Sequence, residues 1–399
     1  MPLDVAAVRS AFPALATGVA HFDGPGGSQT PETVARAMYD TLVSPIANRG
    51  TVTRAERNSD EIVHGARAAM ADLLGADARG IVFGRSMTQL TFDVSRALAK
   101  TWAPGDEVVV SRLDHDANVR PWVIAAERAG ATIRWADFDP HTAELTLDHV
   151  AGQLGERTRL VALTGASNLL GTRPDLPAIA EAVHRTGALF YVDAVHLAAH
   201  APVELAGLGA DFLACSPYKF FGPHCGVLAA APELLETLRA DKLLPATDAV
   251  PERFELGTLP YETLAGVTAA VEFLAGIAGT AGERGKRAHA AMELIEQHED
   301  DLRCRIEAGL RGLDEVTLHS RARRRTPTLL LTFAGRRPSD AYRFLAERGV
   351  NAPAGSFYAY EPARRIGLPD GGVRVGLAPY NDDADVQRLL DGLAAFLER

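Results

Sequence analysis

The stretch RLVALTGASNLLGTRPDLPAIAEAVHRTGALFYVDAVHLAAH (159–200) holds two short apolar runs, RLVALT (159–164) and LFYVDA (189–194), on either side of an amphipathic segment. That segment, 175–186, carries its apolar residues at helical spacing and stops near Gly187, where a helix C-terminus commonly ends. Strand, helix and strand in this order describe two parallel strands joined by a helical crossover.

Outward from there, the same alternation runs from about residue 59 to 231. Further strand candidates are IVF (81–83), EVVVS (107–111), TIRWAD (132–137), FLACS (212–216) and GVLAAA (226–231). Helical spacing over 60–74, 87–100 and 121–129, ending near Gly75 or Gly130, supplies the remaining crossovers. The expected fold is α/β, with a mostly parallel seven-stranded sheet covered by helices on both faces. After about 260 the pattern changes to longer helices, 262–277 and 286–313, and then to strands 327–333 and 372–377 around a helix at 338–348. This predicts a smaller α+β C-terminal domain. The division expected is 21–260 for the large domain and 261–399 for the small one, with residues 1–20 packing against the latter. Two units also suit a chain of 399 residues with 47% hydrophobic content, because single cores stop growing at roughly 250–300 residues.

Composition narrows the function. Forty-one basic against 51 acidic residues give a net charge of −10, which argues against a partner held through nucleic-acid phosphates. No run approaches the ~20 apolar residues of a membrane span, and MPLDVAAVRSAFPAL lacks the basic-then-apolar order of a signal peptide. A cytoplasmic protein without membrane contact is expected. Cys215, Cys225 and Cys304 form no CxxC pair, so neither a disulfide framework nor a Cys-rich zinc site is expected. Arg321, Arg323, Arg324 and Arg325 read as a solvated loop.

Ligands of open parallel sheets bind beyond the carboxyl ends of the strands, and here those loops are polar. GRSMTQL follows 81–83; Ser86 and Gln89 read as a capping box that leaves the N–H groups of Met87 and Thr88 free for an anion such as phosphate, or simply as an ordinary capped helix. RLDHDAN follows 107–111. Three consecutive residues, Asp114 to Asp116, cannot easily converge on one metal ion, so His115 reads instead as an imidazole lying flat on a planar ligand. Asp193 ends an apolar strand, where a carboxylate needs a positive or hydrogen-bonding partner.

Lys219 is the informative residue. The chain has four lysines (Lys100, Lys219, Lys242, Lys286) against 37 arginines, and this one lies among aromatics in SPYKFFGPHCGVL. Desolvation there should lower its pKa and make it a Schiff-base nucleophile; a lysine snorkelling over Phe220 is the plainer reading. Together, a helix N-terminus, a flat imidazole, a strand-end acid and a buried amine are what pyridoxal 5'-phosphate requires, the acid keeping the ring nitrogen protonated.

With these residues in place, the sequence resembles the class V (fold-type I) pyridoxal-phosphate enzymes, in their cysteine-desulfurase-like branch, from HFDGPGGSQTP (21–31) to VRVGLAPYN (373–381). The most specific pieces are LDHDANVRPW (113–122), SNLLGT (167–172), YVDAVHLAAH (191–200), SPYKFFGPHCGVL (216–228) and FELGT (254–258). The resemblance implies that Lys219 carries the cofactor as an imine, that His115 stacks on its ring, and that Asp193 pairs with the ring nitrogen. It places Asn168 and His196 near the phenolic oxygen, and Thr88, Ser216 and Tyr218 at the phosphate. Thr258 would reach that phosphate from the partner subunit, which implies a homodimer with active sites at its interface. Arg374 would grip the carboxylate of a small amino-acid substrate in a bidentate fork.

Two departures stand out. Desulfurases carry a nucleophilic cysteine shortly before that arginine, whereas APAGSFYAYEP (352–362) has none; Cys225 and Cys304 read as buried small apolar residues. His196 stands where desulfurases usually place glutamine. The expected activity is therefore a carbon–sulfur β-lyase on cysteine or an S-substituted cysteine, with Phe357, Tyr358 and Tyr360 either lining the substrate pocket or packing in the small domain. An aminotransferase, epimerase or decarboxylating deaminase opens through the same residues. A non-catalytic protein retaining the fold is a further alternative. GPGGSQ (24–29) is not GxGxxG, and no GxSxG occurs, which disfavours nucleotide-dependent oxidoreductases and serine hydrolases.

Overall fold

The structure, a computed structural model, describes residues 2–399. Its central sheet has the seven expected strands in the spatial order Ile81–Gly84, Gly226–Ala230, Phe212–Cys215, Leu189–Asp193, Thr158–Thr164, Glu107–Ser111 and Thr132–Ala136. All run parallel except Gly226–Ala230, which is antiparallel to both neighbours. The period-2 geometry of a strand divides the side chains between two apolar layers. Val109, Val161, Leu163, Phe190, Val192 and Leu213 point into one layer, while Val108, Val110, Leu160, Ala162, Tyr191 and Phe212 point into the other. Helices cover both faces, so the inner strands run apolar on both faces rather than at every second position, while the edge strand Thr132–Ala136 alternates.

Helix Arg54–Leu74 starts at a reciprocal Thr53–Glu56 cap and ends at Gly75, whose φ of +57° continues the chain in the left-handed region. Helix Arg120–Ala129 ends in the same way at Gly130. The smaller lobe holds a four-stranded antiparallel sheet in the order Ala354–Gly355, Gly372–Gly376, Thr328–Phe333, Val316–Leu318. Its core takes Leu302, Ile306 and Leu310 from helix Arg284–Leu310, and Val386, Leu389, Leu393 and Phe396 from helix Asp383–Leu397. That last helix, capped by Asp382, was not expected from the sequence, though its apolar spacing is helical.

Helix Tyr261–Ile277 joins the large lobe's core through Tyr261, Leu264, Val267 and Leu274, and the chain passes to the small core along helix Arg284–Leu310. The N-terminal residues meet both lobes. Phe12, buried, packs edge-on against Phe221, Phe273 and Tyr380 at centroid distances of 5.2, 5.5 and 5.1 Å. Ala20–His21 then pairs in parallel with Val350–Asn351 of the small lobe. Phe12 goes to the seam because that is where three other aromatic edges leave a slot for it. In the arginine cluster, Arg321, Arg323 and Arg324 are exposed as expected. Arg325 turns inward instead, to the Ala322 carbonyl at 2.6 Å and to Glu307. Cys215 and Cys225 are buried, but Cys304 is exposed. The buried positions flanking it on its helix are 299, 302, 306 and 310, which leaves 304 on the solvent side. No helix among the described residues is long and apolar enough to cross a membrane.

Candidate active site

The carboxyl ends of the strands and the edge of the small lobe enclose a cavity of about 370 Å³. Its walls include Met87, Thr88, His115, Asn168, Asp193, His196, Ser216, Tyr218, Lys219, Tyr358 and Arg374. Thr258 is not brought there; it lies exposed on the segment after Phe254. Of the three aromatics expected at the pocket, Phe357 and Tyr358 line it and Tyr360 does not, being half exposed on helix Tyr360–Arg365.

Lys219 is placed by two strands of contact. The loop after Phe212–Cys215 turns tightly, with Gly222 N–H bonding Pro217 O at 2.9 Å. The segment 24–28 then threads against it: Ser28 donates its N–H and Oγ–H to Tyr218 O, both at 3.1 Å, and its Oγ accepts from Phe221 N at 2.8 Å. Gly27, at φ +153°, lies so close to the Tyr218 ring that a Cβ would sit 3.2 Å from Cδ2. Lys219 Nζ donates to the Pro25 carbonyl and lies 4.8 Å from the Tyr218 ring centroid. Burial, with Arg374 adding to it and Asp193 opposing, pushes this ammonium down to about 7.

Asp193 ends its strand 4% exposed, accepting one bond, from Val195 N–H at 2.9 Å. Burial pushes its carboxyl up to about 7, against the pull of that bond and of Lys219. Asp114, which the sequence reading set aside, lies fully buried behind it. It is held by Ser111 and by Asn118 Nδ2 at 2.7 Å, and Asn118 in turn accepts from Trp122 Nε1 at 3.0 Å. Its carboxyl is pushed up to about 8 by burial first, with Asp193 adding to that rise. This buried chain fixes the loop that carries His115.

His115 Nδ1 accepts the Ala117 N–H at 3.0 Å, so the proton of the neutral ring belongs on Nε2. Burial, Lys219 and Arg374 push the ring's pKa down to about 4, and only Asp116 opposes them. Helix Met87–Ala99 presents its N-terminus to the same cavity. Ser86 Oγ accepts from Gln89 N–H at 3.1 Å, but Gln89 Oε1 bonds Arg85 N–H at 2.9 Å rather than Ser86. The expected box is therefore shifted one residue outward, and the N–H groups of Met87 and Thr88 still face the cavity with no described partner. Gly226 is what lets the sheet approach this turn, since a Cβ there would meet Met87 N at 2.4 Å.

The small lobe contributes Arg374, 2% exposed, whose guanidinium donates to Asn168 O at 3.0 Å and stacks on Phe357 with Cζ 3.7 Å from the ring centroid. It makes no ion pair with a described carboxylate, and burial pushes it down to about 9. Phe357 and Tyr358 both have left-handed backbone, φ +53° and +57°. The large lobe holds this turn: Asn168 Nδ2 donates to Phe357 O at 2.9 Å and Asp116 N–H to Tyr358 O at 2.9 Å.

These residues fit pyridoxal 5'-phosphate. Asn168 Oδ1 and His196 Nδ1 are buried without a partner, Asp193 has acceptor capacity to spare, and the helix N-terminus offers unbonded N–H groups for a phosphate. Among the described residues no cluster of His, Cys, Asp and Glu could hold a metal ion. Sequence reasoning missed the Pro25 carbonyl, Phe357 as the platform for Arg374, and Asp114 as the support of the His115 loop.

Known proteins resemble the chain over its whole length. Residues 20–389 match the family described as Aminotransferase class-V. An uncharacterized protein of Mycobacterium tuberculosis is 32% identical over 399 residues, covering 99% of this chain and 100% of that one. The aminotransferase-like protein FGM3 of Gibberella zeae is 31% identical over 408 residues, 98% of each. The crystal structure of the cysteine desulfurase CsdA from Escherichia coli superposes with a TM-score of 0.87 at 28% identity, covering 99% of this chain and 98% of that one.

Proposed function

Because the chain belongs to the class-V aminotransferase family, whose members are pyridoxal 5'-phosphate-dependent enzymes, we propose that it is a carbon–sulfur β-lyase acting on cysteine or an S-substituted cysteine. The observation that carries this reading is the convergence of a neutralisable amine, a strand-end acid and an unpaired buried guanidinium on one cavity. Thr88, Ser216, Tyr218 and the first N–H groups of helix Met87–Ala99 would hold the phosphate, and in a homodimer Thr258 of a partner subunit would complete that grip. Bound there, the cofactor supplies an electron sink for the substrate carbon next to the carboxylate.

The side chains divide the remaining tasks. Lys219, held near neutrality by burial, is a competent amine nucleophile at pH 7 and, once released, a base for the Cα proton. Asp193 would hold the proton of the cofactor's ring nitrogen; a cation there would return its carboxyl to the charged form, because an opposite charge favours ionisation. His115, uncharged, presents an imidazole face without adding a positive charge beside Lys219. Arg374 takes the substrate carboxylate with a guanidinium already desolvated and held in one plane by Phe357.

Departure of the β-thiolate breaks the carbon–sulfur bond with the electron pair leaving on sulfur. The three-carbon remainder takes up water to give pyruvate and ammonium, one of each per thiol released. This route needs no cysteine, in keeping with a cavity that has none in its wall. The same absence also suits an aminotransferase, epimerase or decarboxylating deaminase on another amino acid.

The test is to give the cofactor-loaded enzyme cysteine and S-alkyl cysteines and to measure thiol and pyruvate. Equal amounts of the two are expected, with turnover at least ~10²–10⁴-fold lower in Lys219→Ala and the visible absorbance of the bound cofactor lost or displaced. An enzyme that keeps its cofactor yet releases no thiol from any of these substrates is not a β-lyase.

A further inference from the structure

Behind the cavity wall three buried ionisable side chains meet in series. His196 lines the cavity, with Nε2 lying 3.0 Å from Thr326 Oγ1 and 2.9 Å from Thr328 Oγ1. The His200 ring packs edge-on against it at a centroid distance of 4.7 Å. His200 Nδ1 lies 2.8 Å from Glu299 Oε2, contributed by helix Arg284–Leu310. His196 and His200 are each 4% exposed and Glu299 is 0% exposed.

This is an expensive arrangement for a core. His200 Nε2 and Glu299 Oε1 are both buried without a partner, and each leaves a desolvation cost that no bond offsets. A Leu or Met triad of similar volume would hold the helix against the sheet more cheaply. The Thr326 hydroxyl also reaches Gly171 O, at 3.3 Å. Burial holds His196 well below its ordinary pKa, hence uncharged. Within the series, the one hydrogen bond between two ionisable side chains joins His200 to Glu299.

The charges that face the series are few. Lys219 and Arg374 act on His196 from the cavity side. Glu299 feels Glu296 on its own helix, which is itself paired with Arg173, and Tyr380 faces it from the small lobe. None of these lies between the pair and His196. A proton shared by His200 and Glu299 therefore has its positive end toward His196 and the cavity.

We propose that His200 and Glu299 are positioning residues that place a positive end behind His196 and so lower the proton affinity of the cofactor bound in front of it. The proposal rests on the placement of His196 beside the cofactor's ring oxygen, and not on which amino acid is turned over.

The test is a pH titration of the visible absorbance of the cofactor-loaded protein, without substrate. Glu299→Gln removes the carboxylate that His200 Nδ1 bonds, and His200→Gln removes the imidazole itself. In both, the titration midpoint should rise by about half a unit or more, the order expected when a nearby positive charge is removed. Glu299→Asp should return it toward that of the parent. A midpoint unmoved in both glutamine variants, with only the thermal midpoint lowered, would mean that the series is structural and overturns the proposal. Loss of the cofactor from both variants overturns it too, since a positioning role leaves retention intact. Should Glu299→Gln fail to fold, His200→Gln carries the same reading alone.

Discussion

Asp193 ends a regular strand and Lys219 closes the short turn Pro217–Lys219 after another, both on ordinary backbone, whereas Phe357 and Tyr358 stand on left-handed backbone in the turn between strand Ala354–Gly355 and helix Tyr360–Arg365 of the small lobe. The large lobe puts its cost into charge. It buries an amine and a carboxylate whose pKa values are pulled toward each other, both to about 7, and leaves each short of bonds. The small lobe puts its cost into conformation, as two consecutive bulky residues in a region that disfavours them by ~1–2 kcal/mol each. Each lobe holds the other's cost in place: Asn168 and Asp116 of the large lobe bond the strained turn, and the turn's Phe357 supports Arg374, which in turn depresses Lys219.

The largest effect expected from breaking this arrangement comes where the two kinds of cost meet. Arg374→Ala removes a buried guanidinium poised for a carboxylate, and losing one side of such a pair costs ~2–5 kcal/mol. The specificity constant kcat/KM for an amino acid should fall by ~30- to 5,000-fold, mostly through KM, with the cofactor's absorbance retained. Release of the cofactor on purification would show that Arg374 belongs to the cofactor's hold instead.

A smaller effect separates charge cost from packing cost. In the cofactor-free protein the Asp193 carboxyl is raised to about 7 from 3.8. A folded pKa above the unfolded one means stability that is fully present below the unfolded value and is lost as pH rises through the folded value. The stability that Asp193 withdraws thus develops between pH ~4 and ~7. Asp193→Asn should therefore melt near the parent at pH 4 and above it at pH 8, by roughly 2–4 °C for each kcal/mol relieved. Adding cofactor to the parent should shrink the gap, because a ring cation then pairs the acid. A gap that is constant across this range would assign Asp193 to packing alone.

The same contrast explains what the sequence disclosed. Most of the seven strands were readable because burial on both faces makes their runs apolar, and Asp193 falls at a carboxyl end, where a parallel sheet puts its ligands. Lys219 stood out because the chain otherwise uses arginine. Nothing comparable marks the turn at Phe357. Left-handed backbone is ordinarily announced by Gly, Asn or Asp, and here two aromatics are forced into it by bonds from residues 116 and 168, a tertiary effect with no local trace. Glu299 and His200, 99 residues apart, were equally silent. The inward turn of Arg325 depends on Glu307 of another helix, so its cluster read as uniformly solvated. Cys304 was misjudged for a different reason: the helical period that places 302 and 306 inward also places 304 outward, and was available to be read.

The subtlest test asks whether the strain at the turn is real. Tyr358 is 77% exposed and its ring lies tilted against His115 at 5.7 Å, so replacing it removes little buried contact. Asn tolerates the left-handed region better than an aromatic residue does. Tyr358→Asn should therefore stabilise the protein by ~0.5–1 kcal/mol, read as a small rise in the thermal midpoint, while Phe357→Asn should not. At Phe357 the same relief is opposed by the loss of its stacking on Arg374, worth ~0.5–2 kcal/mol, and that variant should also raise the amino-acid KM. If both substitutions lower the midpoint alike, the backbone at these positions is relaxed in solution. The small lobe would then meet the cavity through side-chain contacts only, and the two lobes would not differ in the way their backbones suggest.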